Sequence, residues 1–178
     1  MITEKQAIAL LEKYAPDEKT FKIVYGHCQK VREIAERVAR QIKGVDIELV
    51  KMGALLHDIG RFVYPPPGRD NGVRHGLAGA DILRNEGVDE EVALICERHV
   101  GIGLTASDIE VQKLPLPKKD YVPLSPEEKI VAYADNLAIG NVEGTEKMVE
   151  QRFSMEIGPE YGERVRKFHE MVHKMMAR

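Results

Sequence analysis

The 178-residue chain has no tryptophan, two cysteines and only 6% aromatic residues. Cys28 and Cys96 lie far apart and form no CxxC pair. This excludes a disulfide-stapled secreted scaffold and a thiolate zinc ribbon. Both cysteines fall within predicted helices and read as reduced core residues of a cytoplasmic protein, although spacing alone leaves a disulfide between them open. No apolar run approaches the roughly 18 residues of a membrane span. Residues 1–16 break their apolar positions with Glu4, Lys5, Glu12 and Lys13, which predicts an amphipathic helix and not a signal peptide. The net charge is −3, with no basic stripe and no zinc-finger or RNA-recognition pattern. Neither a membrane nor nucleic acid is therefore expected as the main partner. There is no run of strict apolar–polar alternation, no internal repeat and no low-complexity tract.

What is present is helical periodicity, and it predicts an all-α fold of a length that suits one domain, 1–178. The first helix spans Glu4 to Tyr14 and the second Glu18 to Lys43. The second carries an apolar stripe at Val24, His27/Cys28, Val31, Ile34/Ala35, Val38 and Ile42. A third helix is expected from Val45 to Ile59, with Leu49, Met52, Leu55 and Leu56 inward and Gly60 ending it in the left-handed conformation. A loop over Phe62–Arg74 follows, and a helix begins at His75 and closes at Gly87. Asp89 caps the next helix, whose buried stripe is Val92, Ile95, Cys96 and His99. An irregular stretch, Val100–Ser125, has room for one turn near Ala106–Gln112. Ser125-Pro126-Glu127-Glu128 is a strong helix start, with a capping serine, proline at the first position and acids in the first turn. That helix runs to about Ile139. Packing helices over Gly144–Phe153 and Glu160–Met176 complete the chain.

Ligand-type side chains recur at inward or rim positions of separate helices: His27, His99 and Asp135. His57-Asp58 and His75 stand at helix ends. An ionised aspartate facing a core is costly unless paired or bound to metal. Several helices each offering one such residue is how metal sites are built inside bundles.

The order His27 … His57-Asp58 … Asp135 resembles the signature of the HD-domain metal-dependent phosphohydrolases. His57-Asp58-Ile59-Gly60 is similar to the HDIG variant of its central motif. The stretches His75-Gly76-Leu77-Ala78-Gly79-Ala80 and Val131-Ala132-Tyr133-Ala134-Asp135-Asn136 also resemble that family. The resemblance covers a core of residues 24–139, with 144–176 as appended packing helices. It implies an HD-type helical bundle holding one or two divalent ions (Fe, Mn, Zn, Ni, Co or Mg). His27, His57, Asp58 and Asp135 would hold one ion. His75 and His99 would hold a second, with Asp58 bridging. The implied activity is hydrolysis of a phosphate ester or anhydride, of a nucleotide such as a nucleoside monophosphate or a dinucleoside polyphosphate, by metal-activated water. The two histidines between the shared ligands tilt the comparison toward the dinucleoside-tetraphosphate hydrolases. His99 is followed by Val100-Gly101-Ile102-Gly103, without the tandem histidines or Gly-Tyr-Pro element of the family's cyclic-dinucleotide phosphodiesterases. That departure argues against cyclic dinucleotides and leaves the second ion one ligand poorer.

Asp58 and Arg61 are the expected catalytic residues. Arg61 suits bidentate contact with phosphoryl oxygens, or alternatively complements the end of the third helix as a cation. Arg69, Arg74 and Arg98 are weaker candidates, each readable as a surface charge. Two other functions fit the ligands: a di-iron oxygenase of the same fold, and a nucleotide-binding regulatory module without turnover. His169-Glu170-Met171-Val172-His173 matches the HExxH motif of zinc proteases. A protease would need a further ligand downstream, and Val165, Phe168, Val172 and Met175/Met176 mark a packing helix with both histidines on its flank.

Overall fold

The computed structural model describes residues 2–177. Helix α1 (Glu4–Tyr14) begins with a reciprocal capping box between Thr3 and Gln6. Asp17 then accepts from the Thr20 N–H and starts α2 (Glu18–Ala39). The stripe Val24, Cys28, Val31, Ile34, Ala35, Val38 is buried as its spacing requires. The helix stops four residues short of Lys43. Gln41 and Ile42 tighten the end with bonds to Val38 and Ala39, and Gly44 (φ 77°) reverses the chain. Ile42 still packs on the core from this turn, which is why the stripe seemed to continue.

Helix α3 (Ile47–Leu56) contributes to both large hydrophobic clusters. One of its sides, with Val50 and Ala54, joins a cluster formed with Ile34, Ile95, Val131 and Val172. Its other side, with Met52, Leu55 and Leu56, joins Leu11, Leu83, Val92 and Cys96. Gly53 lets the Ile95 side chain lie against the helix; a Cβ there would stand 2.4 Å from Ile95 Cδ1. The helix ends at Leu56, not Ile59, and a 3-10 turn (Ile59–Phe62) follows. Gly60 sits inside that turn and is not left-handed. Its role is close approach, since a Cβ would lie 1.9 Å from the His75 carbonyl oxygen.

Helix α4 (Arg69–Asn85) starts six residues before His75 and absorbs half of the predicted loop. Its first turn, Arg69-Asp70-Asn71-Gly72, offers no apolar stripe and low helix propensity, so periodicity could not reveal it. Helix α5 (Glu90–Arg98) follows Asp89, whose side chain makes no capping bond. Helix α6 (Ala106–Val111), with a Thr105–Asp108 capping box, occupies the irregular stretch. Helix α7 (Pro126–Leu137) has the Ser125 cap and Pro126 start that its sequence specifies. Strands β1 (Ala138–Ile139) and β2 (Val142–Glu143) form an unpredicted antiparallel hairpin, two residues per strand and too short to show alternation. Helices α8 (Glu146–Glu156) and α9 (Pro159–Met176) pack on each other and against α7. Cys28 and Cys96 are buried free thiols. Among the described residues, no helix is long and apolar enough to cross a membrane.

The segment after His99 is anchored by one buried carboxylate. Asp108 accepts from Arg164 at 2.7 and 2.8 Å and from the Tyr161 hydroxyl at 3.0 Å, tying α6 to α9. Burial opposes its charge, but Arg164 and the Thr105 cap outweigh it and hold the carboxyl well below its usual range. A folded pKa below the unfolded value of about 3.9 adds stability above that pH, and the contribution is lost as pH falls through it. Asp108→Asn should cost about 1–3 kcal/mol at neutral pH and less at pH 3. Urea unfolding at both pH values checks this; equal losses at the two would refute it.

Candidate metal centre

His57 and His99 hold the same place on different helices, each being the C-cap of its own, α3 and α5. Each ring folds back so that Nδ1 lies 2.7 Å from a carbonyl of the last turn, Ala54 for His57 and Cys96 for His99. Those carbonyls have no intrahelical donor of their own. A carbonyl only accepts, so Nδ1–H donates and Nε2 is left facing the site. Cys96 joins the two caps, because its thiol also donates to the His57 carbonyl at 3.0 Å.

Asp58 follows His57 directly yet faces the same space, since the chain leaves the α-helix at Asp58 (φ −102°, ψ 11°). Its Oδ1 lies 3.0 Å from His75 Nε2 and 3.6 Å from His99 Nε2. Its Oδ2 lies 3.7 Å from His27 Nε2 and 3.9 Å from His57 Nε2. Asp135, from α7, places Oδ1 2.9 Å from His27 Nε2 and 3.4 Å from His57 Nε2. His75 and His99 meet at 2.9 Å between their Nε2 atoms. The six side chains singled out as ligands thus converge, and the two oxygens of Asp58 face different histidine pairs. His75 lies in the second turn of α4, 2% exposed, not at a helix start.

The electrostatics fit a cation. Burial opposes charge on Asp58, but His57 and the bond from His75 prevail and hold it well below the usual carboxylate range. Asp135 is lowered likewise, against its burial, by His27 and His57. Burial opposes charge on His57 too, yet the Asp58 carboxylate raises it well above the ordinary imidazole value. Burial dominates at His99 and lowers it to about 4, so that ring is neutral. His57 Nε2 is buried and makes no hydrogen bond. A divalent ion would take the place of the imidazole proton as counter-charge and give that nitrogen a partner. Among the described residues, two sets of donors are compact enough to hold an ion: His27, His57, Asp135 and His57, Asp58, His99.

The model of the HD domain family matches residues 24–140, which include all six residues. The chain belongs to the HD domain family. An uncharacterised protein of Methanocaldococcus jannaschii is 51% identical over 121 residues, 66% of this chain and 67% of that one. A tRNA (cytidine(56)-2'-O)-methyltransferase of Thermoplasma volcanium is 37% identical over 169 residues. That match covers 95% of this chain but spans only 46% of the methyltransferase. The HD domain of the L. monocytogenes phosphodiesterase PgpH superposes with a TM-score of 0.59 at 18% identity, covering 96% of this chain and 95% of that one. It shares the helical fold and has also been solved in complex with cyclic-di-AMP.

Around the HD residues, Arg61 donates Nε–H to Asp58 Oδ1 at 3.3 Å. The other arginines are engaged elsewhere. Arg69 donates to the Gln112 carbonyl, Arg74 stacks over Tyr64, and Arg98 pairs with buried Glu128 at 3.0 Å, so Arg98 is no free surface charge. Sequence reading assigned no role to Asn136. Its amide donates to the Ala132 and Gly101 carbonyls and accepts from Arg152, joining α7 beside Asp135 to the His99 segment and to α8. Its polar amide directly beside Asp135 in α7 is the signal the sequence offers.

Proposed function

We propose that this HD domain is a metal-dependent hydrolase of a phosphate ester or anhydride carried by a nucleotide. The two-sided Asp58 carboxylate carries this reading, because a bridging carboxylate is what a pair of ions needs and a binding module does not. In this reading His27, His57, Asp58 and Asp135 would hold one divalent ion, and His75, His99 and Asp58 would hold the second. Nitrogen and oxygen donors suit the first-row divalent ions without selecting one. Bound there, such ions supply an activated water and neutralise phosphoryl charge. The chain's part is to fix the geometry. The carbonyls of Ala54 and Cys96 hold the His57 and His99 rings, and the 3-10 turn aims Asp58. Arg61 steadies Asp58 through Nε and offers its terminal nitrogens to phosphoryl oxygens.

The solved complex of PgpH with cyclic-di-AMP supports a nucleotide ligand for the fold. The absence of tandem histidines still favours an open-chain substrate such as a dinucleoside polyphosphate. The test is turnover by manganese-loaded protein, without oxygen, on nucleoside monophosphates, dinucleoside polyphosphates, cyclic dinucleotides and tRNA, the last because of the Thermoplasma relative. Hydrolytic cleavage of a phosphate ester or anhydride bond in any panel member, followed by separation of the nucleotide products, supports hydrolysis and excludes an oxygenase. Folded, loaded protein inert on every member overturns the proposal. Arg61→Ala should lower kcat/KM about 10²-fold with metal content unchanged. A parallel fall in bound metal would make Arg61 a holder of Asp58 and not a contact to substrate.

A further inference from the structure

One arginine beside the metal centre, Arg74 of α4, has no acceptor. Every other described arginine donates to a carboxylate, an amide or a carbonyl. Arg74 bonds none among the described residues, and its Nε–H is buried without a partner. Its guanidinium lies over the Tyr64 ring, 5.6 Å from the centroid. Such stacking uses the face of the guanidinium and leaves its in-plane N–H edge for an anion. The terminal nitrogens are not enclosed as Nε is, so that edge is open to solvent.

The stack is held next to the centre from two directions. Arg74 directly precedes His75, whose Nε2 lies 3.0 Å from Asp58 Oδ1. Tyr64 follows Arg61 by three residues, in a turn closed by bonds from the Val63 and Tyr64 N–H groups to the Gly60 carbonyl. Residues three apart in such a turn share a side. Tyr64 therefore stands beside Arg61, which donates to the same Asp58 oxygen at 3.3 Å. Asn71, one turn before Arg74, donates to the Pro65 carbonyl at 2.7 Å and ties the segment after Tyr64 back to α4. The stack is thus set before any ligand arrives, which lowers the entropy cost of using it.

We propose that Arg74, carried on Tyr64, binds a second phosphate linked to the one being cleaved. The site then selects substrates with two or more consecutive phosphates over monophosphates. This rests on the hydrolase proposed above and narrows its substrate class. Charge argues the same way. Asp58 and Asp135 cannot balance a pair of divalent ions, and Arg61 shares Asp58 with them. Arg74 adds a cation with no counter-charge of its own. A phosphate monoester offsets only part of this excess. A linked second phosphate adds negative charge and gives Arg74 the acceptor it lacks, through a charge-assisted N–H···O bond. Arg74 lies outside the donor set, so it governs affinity and preference and not the chemical step.

The test is isothermal titration of manganese-loaded protein, with free manganese in excess. Two probes are compared: inorganic phosphate, and methylenediphosphonate, a linked pair whose bridge water does not cleave. The proteins are the wild type, Arg74→Gln and Tyr64→Leu, with circular dichroism and metal content to show that each is folded and loaded. Arg74 and Tyr64 are both partly exposed, so their variants keep the fold. Arg74→Gln should weaken the diphosphonate roughly tenfold and phosphate by less than about twofold. Tyr64→Leu, which frees the guanidinium to wander, should show the same selective loss in smaller measure. A folded Arg74→Gln that binds both probes like the wild type, or loses both equally, overturns the proposal. So does a wild type that binds neither. Binding needs no turnover, which keeps the two readings distinct. A protein inert on every nucleotide, yet dependent on Arg74 for the diphosphonate, sinks the hydrolase alone. An active protein without that dependence sinks only the role of Arg74.

Discussion

Asp58→Ala is expected to empty both ion positions together and to lower phosphate hydrolysis by roughly 10³-fold or more. The reason is geometric. Asp58 Oδ1 faces His75 and His99 while Oδ2 faces His27 and His57, so one truncation removes an oxygen from each set. Its charge is lost as well, in a pocket where the other carboxylate, Asp135, faces only His27 and His57. His99→Ala touches one side only and should remove a single ion. Metal per chain by elemental analysis, beside turnover, separates the cases. A wild-type ratio near two that collapses in Asp58→Ala establishes the paired site. A wild-type ratio near one assigns His75 and His99 to substrate contact or structure and leaves a mononuclear hydrolase. No metal after reconstitution leaves the regulatory binding module.

Gly60→Ala is expected to destabilise the fold by roughly 3 kcal/mol or more and to damage the metal centre with it. The added Cβ would stand 1.9 Å from the His75 carbonyl oxygen and 2.7 Å from the Gly79 nitrogen. Both are backbone atoms inside α4, so no side chain can turn aside. Helix α4 must shift, and it carries His75, whose Nε2 lies 3.0 Å from Asp58. Gly79 is also tight, though less so, since a Cβ there would lie 2.5 Å from Cys96 Sγ. Gly44 is the contrast: it is left-handed at φ 77° with nothing within 4 Å of a Cβ. Gly44→Ala should cost only about 1 kcal/mol and leave metal binding intact. Urea melts with metal analysis of the two variants decide the matter. A Gly60→Ala protein that melts like the wild type would show that the 3-10 turn and α4 are not locked together.

The helices that sequence located best are those whose apolar stripe faces one neighbour and whose ends carry strong caps. Helix α1 and the start of α7 are the clearest, with the Thr3 and Ser125 boxes in place. The start of α4 was invisible because its first turn is polar and holds Gly72, so its helicity depends on surroundings and not on periodicity. The end of α3 was misplaced because Gly60 has two possible uses, a left-handed stop or a close approach. Only the position of α4 chooses between them.

The convergence of the histidine and aspartate side chains was legible for a simple reason. A histidine or aspartate on an otherwise apolar face must be satisfied in the core, and His27, His99 and Asp135 announce that need residue by residue. No sequence pattern, however, states which atom of each faces which. The tautomers of His57 and His99 follow from carbonyls that become available only where α3 and α5 end. The two-sided use of Asp58 follows from the change of helix type at that residue. Amino-acid sequence by itself determined the helical class, the family signature and the list of donors, because those depend on residue type and spacing along one chain. Tertiary structure alone decided the pairing of oxygens with imidazoles and the need for glycine at 60, because those depend on distances between segments that meet only after folding.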